Sequence, residues 1–453
     1  MTTTTFDTIP LSETTKFIVD NRGKTAPTTE TGIALIATNC ITNDSLYPQF
    51  VNVRHVSQET YDTWFRAHPE PGDIILTNKG SKNGAICIVP DPVNFVIAQD
   101  MMALRANEQI IDPLYLFAVL RSPMAQWQMK SLDVSGVIPH FKKTDFHKLH
   151  LPFPPMGIQR AIGKLYHDFC LKIDLNCRMN ETLEGIARAL FKSWFVDFDP
   201  VIDNALAVGN PIPKELADRA EVRSAALADG TANREAAKPF PAAFQQTEEL
   251  GWIPEGWVGG SIKNLVEQRR EKAKNNEVLV LSAIASGDLV ASAEHFTKQV
   301  YSKTTEKYLL VRQWDFAYNP SRINIGSIGM LELPVLGAVS PVYVVASPDY
   351  EYRWFLSFYI RSPLFAEWVN MLASGSVRQS LSFLDFASIP CVIPSRHSLI
   401  QFNEEFESIR HSMLANKNAS QTLVDLRDTL LPKLISGKLQ IADAKKLAEA
   451  ALA

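Results

Sequence analysis

At 453 residues, 21% of them charged and with a net charge of −4, the chain is too long for one comfortable core and lacks the uniformly basic surface of a general nucleic-acid binder. The acid is concentrated: residues 196–258 hold eleven Asp/Glu against five Lys/Arg, a net of −6 that leaves the rest at +2. Cys40, Cys87, Cys170, Cys177 and Cys391 form no Cys-x-x-Cys pair, the N-terminus has no signal-like charged and apolar regions, and no apolar run approaches the roughly eighteen residues of a membrane span; these features predict a soluble, cytoplasmic protein without a metal site.

Residues 1–155 alternate apolar runs such as Asp73–Thr77 and Ala85–Val89 with turn clusters, which reads as strands and loops interrupted by a helix from about Pro113 to Met129. Residues 156–196 read as a long helix. Its apolar positions recur every seven residues at Ile162, Phe169, Leu183 and Leu190, with Asn176 in the middle place and Leu165, Ile173, Met179 and Ile186 as a second stripe. Residues 197–258, acidic and rich in Pro and Ala, read as a linker with a short helix near 214–228. Residues 259–395 return to strands near 308–346 and a helix near 350–372. A second heptad helix over 396–440 carries Phe402, Ile409, Asn416, Leu423 and Leu430, and 441–453 is left as a tail.

The two halves are copies. With an offset of 240, about seventy positions fall into register: Leu120-Arg121-Ser122-Pro123 returns as Ile360-Arg361-Ser362-Pro363, Asp145-Phe146 as Asp385-Phe386, and Asn176 as Asn416. Two heptad helices in matching phase predict an antiparallel coiled coil in which Asn176 and Asn416 meet and hydrogen-bond each other's amides, fixing register. The fold class is α+β: two mixed α/β domains in a pseudo-twofold arrangement, separated by the two long helices.

The stretch Ala187–Pro200, the entry Trp252-Ile253-Pro254-Glu255-Gly256-Trp257 and the closing Leu426–Gly437 resemble the specificity subunits of Type I restriction-modification systems. The likeness in layout covers essentially the whole chain. It implies two target-recognition domains, each reading half of a bipartite, asymmetric DNA sequence. The helices space them and dock two modification (methyltransferase) subunits, with restriction subunits joining through the complex. It also implies no cofactor on this chain, with S-adenosylmethionine, ATP and Mg on the partners. A helix over 157–195 would be about 58 Å long, against about 34 Å per turn of B-DNA.

Base readout needs donors and acceptors on elements that enter the major groove, with basic residues nearby for phosphates. Thr77–Gly84 supplies Lys79, Ser81, Lys82 and Asn83; its counterpart Asn319–Ser327 supplies Asn319, Ser321, Arg322, Asn324 and Ser327. A second pair, Ser135–Lys143 and Ser374–Ser380, supplies Lys142, Lys143, Arg378 and Gln379. The arginine forks suit guanine, Asn83, Asn324 and Gln379 suit adenine, and the four lysines suit phosphates. An ordinary hairpin turn is the plain alternative for each loop alone; recurrence at matching points in both copies favours function.

Tyr318-Asn319-Pro320-Ser321 lacks the second proline and the aromatic of an adenine-methyltransferase motif, and no Walker A or His-Glu-x-x-His string is present, so no catalytic residues are assigned. His140, His147 and His150 cluster without a carboxylate partner pattern, and a surface or core role suits them better than metal binding. The competing readings are a coiled-coil adaptor with two ligand-binding modules and no DNA role, which the near-neutral charge suggests, and a free-standing enzyme, which only size suggests.

Overall fold

The structure, a computed structural model, describes residues 6–21, 23, 25–132, 139–285, 287–295, 304–373 and 380–452. The chain forms two compact units, Met1–Glu181 with Ser412–Ala453, and Thr182–His411. No helix among the described residues is long and apolar enough to cross a membrane.

The first unit is built on an antiparallel sheet in which Thr15–Val19, Met101–Ala106, Ile74–Thr77 and Ile86–Ile88 lie side by side. A smaller sheet places Ile33–Ile36 between antiparallel Arg54–Val56 and parallel Phe95–Ile97. Asp7–Pro10 pairs with His150–Phe153, tying the start of the domain to its exit. Asp73 is buried at the head of the strand Ile74–Thr77 and takes a two-pronged contact from Arg105, Nε and Nη2 each at 2.9 Å.

The second unit repeats this plan. Val266–Arg269, Val344–Pro348, Phe316–Tyr318 and Ile328–Met330 follow the same order, Leu279–Ala283 again lies between one antiparallel and one parallel neighbour, and Val258–Ser261 pairs with Pro390–Ile393. Asp315 stands where Asp73 stands, but its arginine, Arg269 (Nε at 2.6 Å), comes from the strand Val266–Arg269. A further strand, Leu309–Val311, has joined the smaller sheet.

Each single helix expected in a domain is broken by the repeated Ser-Pro landmark. Pro113–Arg121 and Pro123–Ser131 meet at Ser122, whose Oγ accepts from the Ala125 N–H at 3.3 Å. Arg353–Tyr359 and Pro363–Leu372 are likewise separated, with Ser362 Oγ accepting from Phe365 N–H at 3.2 Å. Proline suits the first position of a new helix, and the residue before it is pushed to extended backbone; a 3.6-residue apolar pattern running across both helices hides the break.

The central helix spans Met156–Phe195 and the distal helix Arg396–Ile435. In the first unit Ile162, Tyr166, Phe169, Cys170 and Ile173 share one core with Leu423, Leu430, Leu431, Leu434 and Ile435, so rising numbers on one helix meet falling numbers on the other. Gly163 lets the start of Pro113–Arg121 come close: a Cβ there would stand 2.4 Å from Tyr115 N. In the second unit Phe191, Trp194 and Phe195 pack edge-on to Phe402, with the Phe195–Phe402 ring centroids 5.0 Å apart, contacts worth about 0.5–1.5 kcal/mol each beyond burial. The heptad stripe is not sealed along its length. Leu183, Leu190 and Ile409 are half-buried, and Met179 and Ile186 are exposed. Nor do the two asparagine amides bond each other. Asn176 Nδ2 donates to Ser420 Oγ at 3.1 Å and reaches the Asn416 carbonyl at 3.4 Å, while Asn416 donates to Asn180.

Two segments differ from the sequence reading. Residues 197–258 are a folded part of the second unit rather than a linker: Asp199–Val208 and Ala217–Ala228 pack together, and Val201, Phe240, Ile253 and Trp257 enter its core. Two of its acids are buried. Asp199 and Asp203 are held by Arg219 and Arg223, Nε to Oδ1 at 2.6 and 2.8 Å, which offsets their desolvation. The expected tail instead forms a helix, Ile441–Leu452, whose Ala444 and Ala448 seal into the core of the first unit.

Candidate nucleic-acid interface

In the first unit the strand pair Ile74–Thr77 and Ile86–Ile88 ends in the loop 78–85. Its backbone is closed by Gly84 N–H to Thr77 O at 2.8 Å and by Ala85 N–H to the Thr77 hydroxyl at 2.9 Å. Gly80 and Gly84 take φ of 86°, a left-handed conformation that suits glycine. Gln126, on the helix Pro123–Ser131, braces the loop by donating to Gly84 O at 2.9 Å.

This loop is stitched to the second candidate segment. Phe141 N–H donates to Asn78 O at 2.9 Å, Gly80 N–H donates to Pro139 O at 2.9 Å, and Lys79 forms a bridge with His140. Phe141 is fully buried and stacks on Phe146 at 5.3 Å, which anchors Lys142 and Lys143 at the surface. Lys82, Lys142, Lys143 and Ser81 are exposed on the two joined loops, whereas Lys79 is half-buried with Asp100 at 4.0 Å. Asn83 is half-buried, and its Oδ1 and that of Asn78 have no hydrogen-bond partner.

The second unit builds the same junction from different residues. Leu381 N–H donates to Pro320 O at 3.0 Å, and the buried Tyr318 donates its hydroxyl to Ser382 O at 3.1 Å, burial holding the phenol protonated far above its ordinary range. Ser321, Arg322 and Asn324 are exposed; Asn319 is half-buried and its Oδ1 accepts from Ser321 N–H at 3.1 Å, shaping the turn. Ser327 is a correction. It is buried and donates to Ala283 O at 2.9 Å, so it ties the loop to the neighbouring strand and does not face solvent. Gly326, at φ 84°, comes so close to Ala285 that a Cβ would stand 2.7 Å from its carbonyl oxygen. Arg378 and Gln379 lie outside the described residues.

The sequence reading did not single out Gln126 as a brace, because its role depends on a contact 42 residues away. The three histidines take separate roles. His140 joins the loop junction, His147 Nδ1 lies 2.8 Å from Thr144 O, and His150 sits in a strand where it pairs through its backbone with Gln128. Among the described residues, each unit thus joins the loop between two paired strands to a second segment, with lysines exposed at the first junction and Arg322 and Asn324 at the second.

Comparison with known proteins converges on one family. The family model described as the Type I restriction modification DNA specificity domain matches residues 28–185. The HindI specificity subunit of Haemophilus influenzae is 25% identical over 401 residues, covering 81% of this chain and 86% of that protein. The MjaIX specificity subunit of Methanocaldococcus jannaschii is 21% identical over 375 residues, covering 82% and 78%. A solved S subunit of a Type-I restriction-modification system from M. genitalium shares the fold, with a TM-score of 0.54 at 12% identity over 95% of this chain and 96% of that one. The domain model and relatives along four-fifths of the length point the same way, and the fold is shared: the chain is similar to the specificity subunits of Type I restriction-modification systems.

Proposed function

We propose that the chain is the sequence-reading, non-catalytic subunit of a Type I restriction-modification complex, each unit reading one half of a bipartite, asymmetric duplex target. One observation carries this: the same two-loop junction is built twice on the same sheet topology, Phe141 to Asn78 and Leu381 to Pro320, while the exposed side chains beside it differ, Lys82, Lys142 and Lys143 in one unit against Arg322 and Asn324 in the other. A shared scaffold with divergent tips suits two different half-sites. Lys82, Lys142 and Lys143 serve phosphates, and Arg322 and Asn324 serve base edges, with Lys79, Ser81, Asn83, Asn319 and Ser321 shaping or supplementing the contact.

The two forty-residue helices, each entering both units, set the spacing of the half-sites and dock two modification subunits, through which restriction subunits join. Leu175, Met179 and Leu414, exposed on the helix pair of the first unit, supply apolar surface for that docking. S-adenosylmethionine, ATP and Mg belong to those partners. The five free cysteines suit a reducing cytoplasm.

The test is to purify the chain with its modification subunit, map the methylated sites, and then exchange residues 1–155 for the corresponding domain of a relative. One half-site changes and the other stays. Loss of specificity in both halves, or methylation without a bipartite site, overturns the reading.

A further inference from the structure

Beneath the first unit's surface lies a cavity of about 250 Å³ lined by Arg121, Arg427, Tyr166, Asn43, Asp44 and Asp428, among others. Both arginines are more than nine-tenths buried, at 7% and 6% exposure. Buried charges are normally paired with an opposite charge. Arg121 is not: it donates to the carbonyls of Ile86 (Nε at 3.0 Å), Thr42 (3.2 Å) and Ser45, and its Nη1 lies 3.9 Å from Cys170 Sγ. Arg427 comes to the same place from the distal helix, close enough to act on the same thiol and on Tyr166. Its carboxylate, Asp428 at 2.8 Å from Nε, is 60% exposed. Asp44, the other acid at the rim, is exposed and accepts from the Thr42 hydroxyl at 3.0 Å.

The second unit supplies the comparison. Arg361, the copy of Arg121, is less buried and has Asp288 at 3.6 Å. Where Arg361 has a carboxylate beside it, Arg121 has backbone carbonyls and the cavity.

We propose that this cavity is a binding site for a small free oxyanion of the phosphate or sulfate type, held between the Arg121 and Arg427 guanidiniums. Its volume accommodates such an ion with water, each water occupying about 30 Å³ in the liquid. The ion ties the distal helix to the first domain by neutralising charge that both bury.

Thermal unfolding of the full chain in sodium phosphate, against sodium chloride at matched ionic strength, tests the site. Phosphate raises Tm saturably above the chloride value. Arg427→Met abolishes that difference, and Asp428→Asn, which removes a competing carboxylate and is expected to fold, lowers the half-saturating phosphate concentration several-fold. Equal responses to phosphate and chloride in the unsubstituted protein overturn the proposal, as does an undiminished phosphate effect in Arg427→Met. Duplex DNA forms a separate arm. If Arg427→Met lowers the salt dependence of duplex binding while phosphate alone shifts nothing, the site serves a DNA phosphate and the free-ion proposal fails.

Discussion

Asn416 donates its side-chain amide to Asn180 Oδ1 at 2.9 Å, and this is the same contact, 240 residues displaced, as the one Asn176 makes to Ser420 Oγ at 3.1 Å. Position 180 is to 420 as 176 is to 416, so the helix pair satisfies each amide, the buried Asn176 and the half-buried Asn416, with a polar residue one turn along the opposite helix. Asn180 also donates to Met413 O at 3.1 Å. Asn180→Ala removes both contacts and is expected to lower stability by about 1–2 kcal/mol, measured by urea unfolding. Ser420→Asn copies the first contact into the second and leaves stability unchanged or higher; a large loss there would show that the two contacts are not equivalent.

Trp314 sits at φ 74°, in a turn whose counterpart in the first unit is Gly72 at φ 84°. Both residues donate their N–H to the matching strand, Trp314 to Leu331 O at 2.7 Å and Gly72 to Val89 O at 3.0 Å. A left-handed tryptophan is strained, and its ring offsets this by packing at 5.3 Å on Trp354 and under Arg353 and Arg410. Trp314→Ala loses the packing and keeps the strain; Trp314→Gly loses both. The glycine variant should therefore be the more stable of the two by about 1 kcal/mol, the reverse of the usual order.

The buried Asp315 is ion-paired with Arg269, Ser347 sharing the guanidinium at 2.9 Å, and also accepts from the Arg312 N–H at 2.7 Å. Asp315→Ala leaves a partly buried arginine unpaired and is expected to destabilise the second unit by about 3 kcal/mol. Hydrogen exchange across the strands of both units checks it: protection falls in the strands around 316–348 and persists in those around 74–106.

His68 stacks on Tyr61 at 3.9 Å, and burial pulls its pKa below the ordinary 6.5 against the opposing pull of Asp62. Its folded form binds fewer protons than the unfolded chain just below that value. The stability it contributes is therefore complete above pH about 6.5 and is lost as pH falls through 6.5 towards the folded pKa. His68→Phe keeps the stack and flattens the decline between pH 7 and 5.5. An unaltered pH slope in the variant would mean that other groups carry the acid sensitivity.

Arg322→Ala is expected to cost about 1–3 kcal/mol of duplex affinity and to relax preference at one base pair, whereas Lys142→Ala weakens all duplexes alike and lowers the salt slope by about one. Binding titrations at several salt concentrations separate the two. Arg322→Ala with unchanged site preference would reassign it to the backbone.

Long periodic elements were legible in the sequence, and so were the positions of the polar residues within them, because heptads and a 240-residue echo are local or repeated signals. What escaped depended on contacts between distant residues. Asp199 and Asp203 read as solvent acids until Arg219 and Arg223, each twenty residues further on, are seen against them. Phe198 adopts φ 56°, turning the chain sharply from the central helix into Asp199–Val208, and no composition rule expects that of phenylalanine. At the interface the loops themselves were visible. Their junction was not, since the Phe141 to Asn78 bond joins backbone atoms and carries no residue signature.

The helix Ile441–Leu452 and the last half of the distal helix belong to the core that the earliest residues begin. During synthesis, therefore, the unit that starts first finishes last. All of Thr182–His411 has been made before the ribosome delivers Leu423, Leu430 and Ala444 to the waiting first domain, so the second unit can close its core while the first still exposes Ile162, Phe169 and Ile173. A ribosome stalled just after His411 would thus carry a second unit free to close and a first unit left as an open half-core.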